Sequence, residues 1–175
     1  MFLSYTLIFI NLFIFNFFQQ GYNKAMDVWS VGCILAEMLN NKPLFPGENY
    51  QDQILKIQEI LGTPKAEEIS FIRAPLARAY LLNLPPKLKV TWSNIFPNAN
   101  MNSLELLDLL LAFDPSRRIK VEHALAHPFL GKFHDPAEEP MAEIPFTFEM
   151  ELDNLPIQQL KEMIYKEALL AQSLQ

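Results

Sequence analysis

A chain of 175 residues, half of them hydrophobic and 12% aromatic, is long enough to bury one sizeable core and too apolar for wholesale disorder. Its formal net charge of -6 argues against a nucleic-acid binder, which needs a basic face, and leaves room for partners that present basic segments. The single cysteine, Cys33, cannot close an intramolecular disulfide and fits a reducing compartment; with His123, His127 and His134 it gives no zinc-ligand spacing.

Residues 1–18, MFLSYTLIFINLFIFNFF, carry no charge and are dense in Phe, Ile and Leu. A run of that length just reaches across a bilayer. It lacks the basic start and small-residue cleavage site of a secretory signal, and no Lys or Arg precedes Lys24 to set an orientation. The composition changes abruptly at Gln19 and Gln20, as it would where a mis-set start or translated non-coding sequence joins a genuine domain. From the residues alone, a membrane segment and foreign sequence both stay open. In water the run is an aggregation liability.

From Asn23 onward the pattern is helical. Asn23 is placed as the N-cap of a helix over 24–40, apolar on nearly every side (Val28, Trp29, Val31, Cys33, Ile34, Leu35, Met38, Leu39), so neighbours should enclose it. LFPG at 44–47 reads as a turn. Ile54, Leu55, Ile57, Ile60 and Leu61 predict an amphipathic helix over 50–61, ended by Gly62. Thr63 and Pro64 read as N-cap and first-turn proline of a further helix through Ile69 and Ile72. Residues 73–100 read as mostly irregular, with a short helical piece at 78–82. A helix over 104–113 stops before Asp114-Pro115, because the residue preceding proline avoids helical backbone. A short helix covers 121–127. An acidic, proline-marked stretch, 135–153, leads to a last helix from about Asn154, with Pro156 in its first turn and a stripe of Leu160, Met163, Ile164 and Ala168. No alternating strand pattern appears, so the fold class is all-α.

DVWSVGC at 27–33 resembles the signature that opens the central helix of the eukaryotic protein kinase C-lobe. PLFPG at 43–47, LGTP at 61–64, LAFDPSRRI at 111–119 and ALAHPF at 124–129 follow at family spacing. LGTP and the excursion after it look like the insert shared by cyclin-dependent and mitogen-activated kinases. AYLLNLP at 79–85 and the tail opening DPAEEP at 135–140 favour the mitogen-activated branch, in particular its extracellular-signal-regulated group. The resemblance runs from Gly21 to about Leu170.

That resemblance implies a helical C-lobe fragment without the N-lobe, catalytic loop and activation segment. It divides the chain into the apolar segment 1–20, a partial C-lobe over 21–130 with its insert at about 62–100, and a C-terminal extension over 131–175. No Gly-rich loop, strand lysine, HRD or DFG motif is in the sequence. The expectation is therefore no catalytic, cofactor-binding or metal residue in this chain, with ATP and Mg2+ belonging to the complete family member. In the family, the residue matching Asp27 braces the catalytic loop and the one matching Arg118 pairs with a glutamate of the APE element. Trp29, in the same signature as Asp27, is likewise structural. Asp27 and Arg118 are expected to be left buried and unpaired, with softness around both.

Asp135, Glu138 and Glu139 match the acidic common-docking cluster that receives basic docking peptides from mitogen-activated protein kinase kinases, phosphatases and substrates. Glu138 replaces the usual aspartate and keeps the charge. Tyr50, Ile54 and Tyr80 match lining positions of a second site that reads aromatic-containing substrate motifs, whereas Gln51 departs from the usual leucine; ordinary helix packing explains these positions equally well. The implied location is cytoplasmic or nuclear, with a membrane only if 1–18 is genuine. Two functional classes follow: a truncated serine/threonine kinase, or a non-catalytic module that sequesters kinase partners, membrane-tethered in one version.

Overall fold

The computed structural model describes residues 23–139, 142 and 155–173. They fall into two units, one ending at His134 and one beginning at Asp135. The apolar run at 1–18 lies outside the described residues, as does most of the acidic stretch 135–153.

In the first unit helix α1, Lys24–Asn40, packs along α5, Met101–Leu110. Asn23 heads α1 in extended backbone, and Asn41 ends it in the left-handed conformation (φ 53°), returning its N–H to the Glu37 carbonyl at 2.7 Å. Gly32 lets α1 lie tight against the end of α5: a Cβ there would stand 2.7 Å from Leu111 Cδ2. Met26, Trp29 and Ala36 on the inner face enter the main core with Phe45, Ile57, Trp92, Phe96, Leu104, Leu107 and Leu111. Val28 joins Leu106 and Leu110 in a smaller cluster that Ile119, Ala124, Phe129 and Leu130 flank.

The outer face of α1 departs from expectation. Val31, Ile34 and Met38 are 53%, 44% and 73% exposed. The helix is apolar all round, but α5 and the Phe45 loop cover only one side of it.

Helix α2, Tyr50–Leu61, has the expected bounds because both ends are chemically marked. The Asn49 side chain accepts from the backbone N–H groups of Gln51 and Asp52, and Gly62 leaves the helix at φ 81°. The helix expected from Thr63-Pro64 does not form. A short 3-10 turn, Ala66–Ile69, stands there instead, headed by Lys65. Thr63 is extended away from it because its hydroxyl and N–H are taken by residues more than twenty positions on.

Helix α3, Pro75–Leu82, starts on its proline and is longer than the predicted piece. A single turn, α4, Trp92–Ile95, interrupts the stretch expected to be irregular. Helix α5 begins on an Asn100 cap and stops at Leu110 rather than Phe113. Leu111 leaves helical backbone (φ -102°, ψ 25°), the Ala112 and Phe113 carbonyls accept from Arg118, and a turn follows in which the Asp114 side chain accepts from the Ser116 N–H and hydroxyl. A short α6, Val121–Leu125, follows.

In the second unit α7, Ile157–Ser173, begins immediately after Pro156, whose carbonyl accepts from the Gln159 and Leu160 N–H groups. Of its predicted stripe only Met163 is partly buried, while Leu160 and Ile164 are 42% and 69% exposed. Among the described residues no strand occurs, and the architecture is all-α.

Candidate functional site

Three groups of residues were singled out by sequence, and the structure treats each differently. Trp29 and Arg118 form a buried unit. The Trp29 ring, 1% exposed, stacks on Phe45 at 5.8 Å between centroids, and the Arg118 guanidinium lies over it at 4.9 Å. Arg118, 5% exposed, donates from Nε and Nη2 to the Ala112 carbonyl at 3.1 and 2.9 Å. Its other donors reach the carbonyls of Phe113 and Ala25. The expectation of an orphaned guanidinium is thus corrected: backbone carbonyls and an aromatic face take the place of a carboxylate. Burial pulls Arg118 down to about 10, while the Asp114 carboxylate acts in the opposite direction, and it stays cationic at neutral pH. The expectation for Asp27 is also corrected. It is exposed in the first turn of α1, so the cost of a buried carboxylate does not arise. Loss of hydration pushes the neighbouring Cys33 thiol up to about 12, which makes it an inert thiol at neutral pH.

Tyr50 and Ile54 lie one turn apart on α2, while Tyr80 lies on α3. Ile54 packs against the cluster of Ile69, Ile72, Ala77 and Leu81, the last two from α3. The rings of Tyr50 and Tyr80 are 52% and 38% exposed on the two helices that share this cluster. Gln51 is exposed on α2.

The acidic cluster is a turn folded on its own backbone. Glu138 N–H donates to the Asp135 carbonyl at 3.0 Å, and Ala137 N–H to Asp135 Oδ1 at 3.0 Å. Asp135 N–H donates to Glu139 Oε1 at 3.1 Å. Three carboxylates are thereby held within five residues, with Asp135 and Glu138 exposed and Glu139 half-buried. Such a concentration attracts cationic ligands and is screened by salt.

Sequence reasoning missed Gln58, Thr63, Arg78 and Asp108 as polar anchors. Asp108 accepts from Trp92 Nε1 and Lys89 Nζ, fixing α4 against α5. Lys87 hydrogen-bonds Glu59 and holds that carboxyl below the usual carboxylate range. Among the described residues no three His, Cys, Asp or Glu converge on a possible metal position. No described helix is long and apolar enough to cross a membrane.

Residues 14–130 match the protein kinase domain family. The chain is 51% identical over 150 residues to mitogen-activated protein kinase mpk-1 of Caenorhabditis elegans, covering 86% of the chain and 34% of that relative. It is 51% identical over 152 residues to a mitogen-activated protein kinase of Fusarium vanettenii and to PMK1 of Pyricularia oryzae, covering 85% of the chain and 43% of each. A kinase-domain match and identity at this level over most of the chain place it in the mitogen-activated protein kinase family. It spans about a third to two fifths of the length of these curated relatives.

Proposed function

We propose that this chain is the scaffold and docking portion of a serine/threonine kinase of the extracellular-signal-regulated group, able to bind kinase partners and unable by itself to transfer phosphate. The complete enzyme would move the ATP γ-phosphate to Ser or Thr of protein substrates, with ATP and Mg2+ held by residues that this sequence does not contain. Phosphoryl transfer depends on positioning and electrostatics supplied together, so a partial set of groups carries none of it.

The observation that carries the docking half is the acidic turn of Asp135, Glu138 and Glu139. Its partners on this reading are the Lys/Arg-rich docking peptides of mitogen-activated protein kinase kinases, phosphatases and substrates. Tyr50, Ile54 and Tyr80 would add a site for aromatic-containing motifs, supported by two exposed tyrosines on helices that share an apolar cluster. Sequestration of partners without catalysis is the activity expected of the isolated chain, in the cytoplasm or nucleus. A membrane-tethered version rests on residues 1–18, outside the described residues.

The test is titration of a fluorescent Lys/Arg-rich docking peptide into wild-type chain and into Asp135→Asn/Glu138→Gln. Weak binding to the wild type, lost in the double variant, supports the proposal, and equal binding to both removes it. Phosphate transfer to a protein substrate by the purified wild-type chain would refute the non-catalytic half.

A further inference from the structure

Gly62 and Thr63 bring together two segments far apart in sequence. A Cβ on Gly62 would stand 2.8 Å from Lys89 N and 3.0 Å from Lys87 O, so only glycine, at φ 81°, lets residues 87–89 pass this close. The approach permits a reciprocal pair: Thr63 N–H donates to the Lys87 carbonyl at 2.9 Å, and Lys87 N–H donates to Thr63 Oγ1 at 2.8 Å. The same hydroxyl donates to the Pro85 carbonyl at 3.1 Å. Buried Gln58 donates from Nε2 to Pro85 O at 2.7 Å and to Thr63 Oγ1 at 2.8 Å. One hydroxyl hydrogen and two lone pairs are the full capacity of a threonine, and all are used.

Between these tied ends, residues 64–86 carry their own small apolar centre of Ile69, Ile72, Ala77 and Leu81. Arg78 reaches back from α3 to the carbonyls of Ser70 and Ile72. The centre also packs against Ile54 of α2 and Phe113, and a long Arg117–Glu68 ion pair at 4.0 Å adds to the Thr63 fastening; a segment held by so few ties is the kind of unit that opens locally and cooperatively. Bonds that converge on a single atom strengthen one another and are lost together.

We propose that Thr63 is a clasp: its hydroxyl closes the 64–86 segment as one unit and so positions α3, with Tyr80, beside Tyr50 and Ile54 of α2. The positioning role rests on the aromatic-motif site suggested above, whereas the closing of the segment does not. Thr63 is a positioning residue and touches no ligand.

The experiment compares Thr63→Val, which keeps the shape and removes the hydroxyl, with Thr63→Ser, which keeps the hydroxyl. Hydrogen exchange followed by mass spectrometry on the full chain should show amides in 66–84 exchanging at least about ten-fold faster in Thr63→Val, with 101–110 unchanged. Thr63→Ser should stay within about two-fold of wild type. Unchanged exchange in Thr63→Val, acceleration spread equally over 101–110, or equal acceleration in Thr63→Ser each overturns the clasp. A phenylalanine-containing peptide is then titrated against the same proteins. Weaker binding to Thr63→Val, restored in Thr63→Ser, supports the positioning role, and equal binding to all three overturns it. A peptide that binds none of them removes the aromatic-motif site, and the exchange pattern alone then decides the clasp.

Discussion

Arg118 and the Asp135–Glu139 turn are two of the charged features that the family resemblance singles out, and the chain settles them in opposite ways. Arg118 is buried, and its donors are consumed by the carbonyls of Ala112, Phe113 and Ala25 and by the Trp29 face. The turn is exposed at Asp135 and Glu138, and backbone donors occupy only part of its carboxylate capacity. A charge satisfied internally acts on stability and is closed to ligands, whereas exposed like charges contribute little to folding and remain available to a partner. Substitutions in the two regions should therefore separate cleanly between folding and binding.

The largest effect should come from Trp29→Ala, which removes the platform under Arg118 and should cost about 3–5 kcal/mol in denaturant unfolding. Arg118→Ala should cost about 2–4 kcal/mol because the Ala112 and Ala25 carbonyls lose their donor, and Arg118→Lys should recover only part. Asp135→Asn/Glu138→Gln should leave the unfolding midpoint almost unchanged while weakening a basic docking peptide by about ten-fold or more. A large loss of stability in that variant, or none in Arg118→Ala, would erase the contrast. Met38→Ser, on the open side of α1, should fall within about 0.5 kcal/mol of wild type.

Cys33 gives the finest probe of the buried side. Its thiol is raised from 9.0 to about 12 in the fold, so that contribution to stability is fully present below pH 9 and is lost as pH rises toward about 12. Alkylation at pH 9 should accordingly be roughly 500-fold slower in the folded chain than in urea, and equal rates would place the thiol in water.

Elements with local chemical marks were legible in the sequence. Helix α2 has the expected bounds because Asn49 and Gly62 sit where chain ends are decided within a few residues; α1 has them too, although the Asn23 side chain makes no capping bond. Thr63-Pro64 carries an equally good local mark for a helix start, and it misleads. Its hydroxyl is claimed by Pro85 and Lys87, a competition that no window of neighbouring residues contains. Helix α4 was invisible for the same reason, since its single turn is held by the Trp92 indole on Asp108 and the Val90 N–H on the Ile60 carbonyl. The acidic cluster was legible as charge, and its folding into a turn by its own amides was not. Arg118 was legible as a buried cation; that carbonyls would satisfy it depends on how α1 meets the end of α5.

The most direct test of the contrast is an ionic-strength series of docking-peptide binding to the wild-type chain, from about 50 to about 300 mM salt, with unfolding followed in parallel. Binding should weaken several-fold across the series while the unfolding midpoint moves little. Binding that ignores salt, or a fold that loosens with it, would contradict the division between a charge the fold consumes and charges it leaves to partners.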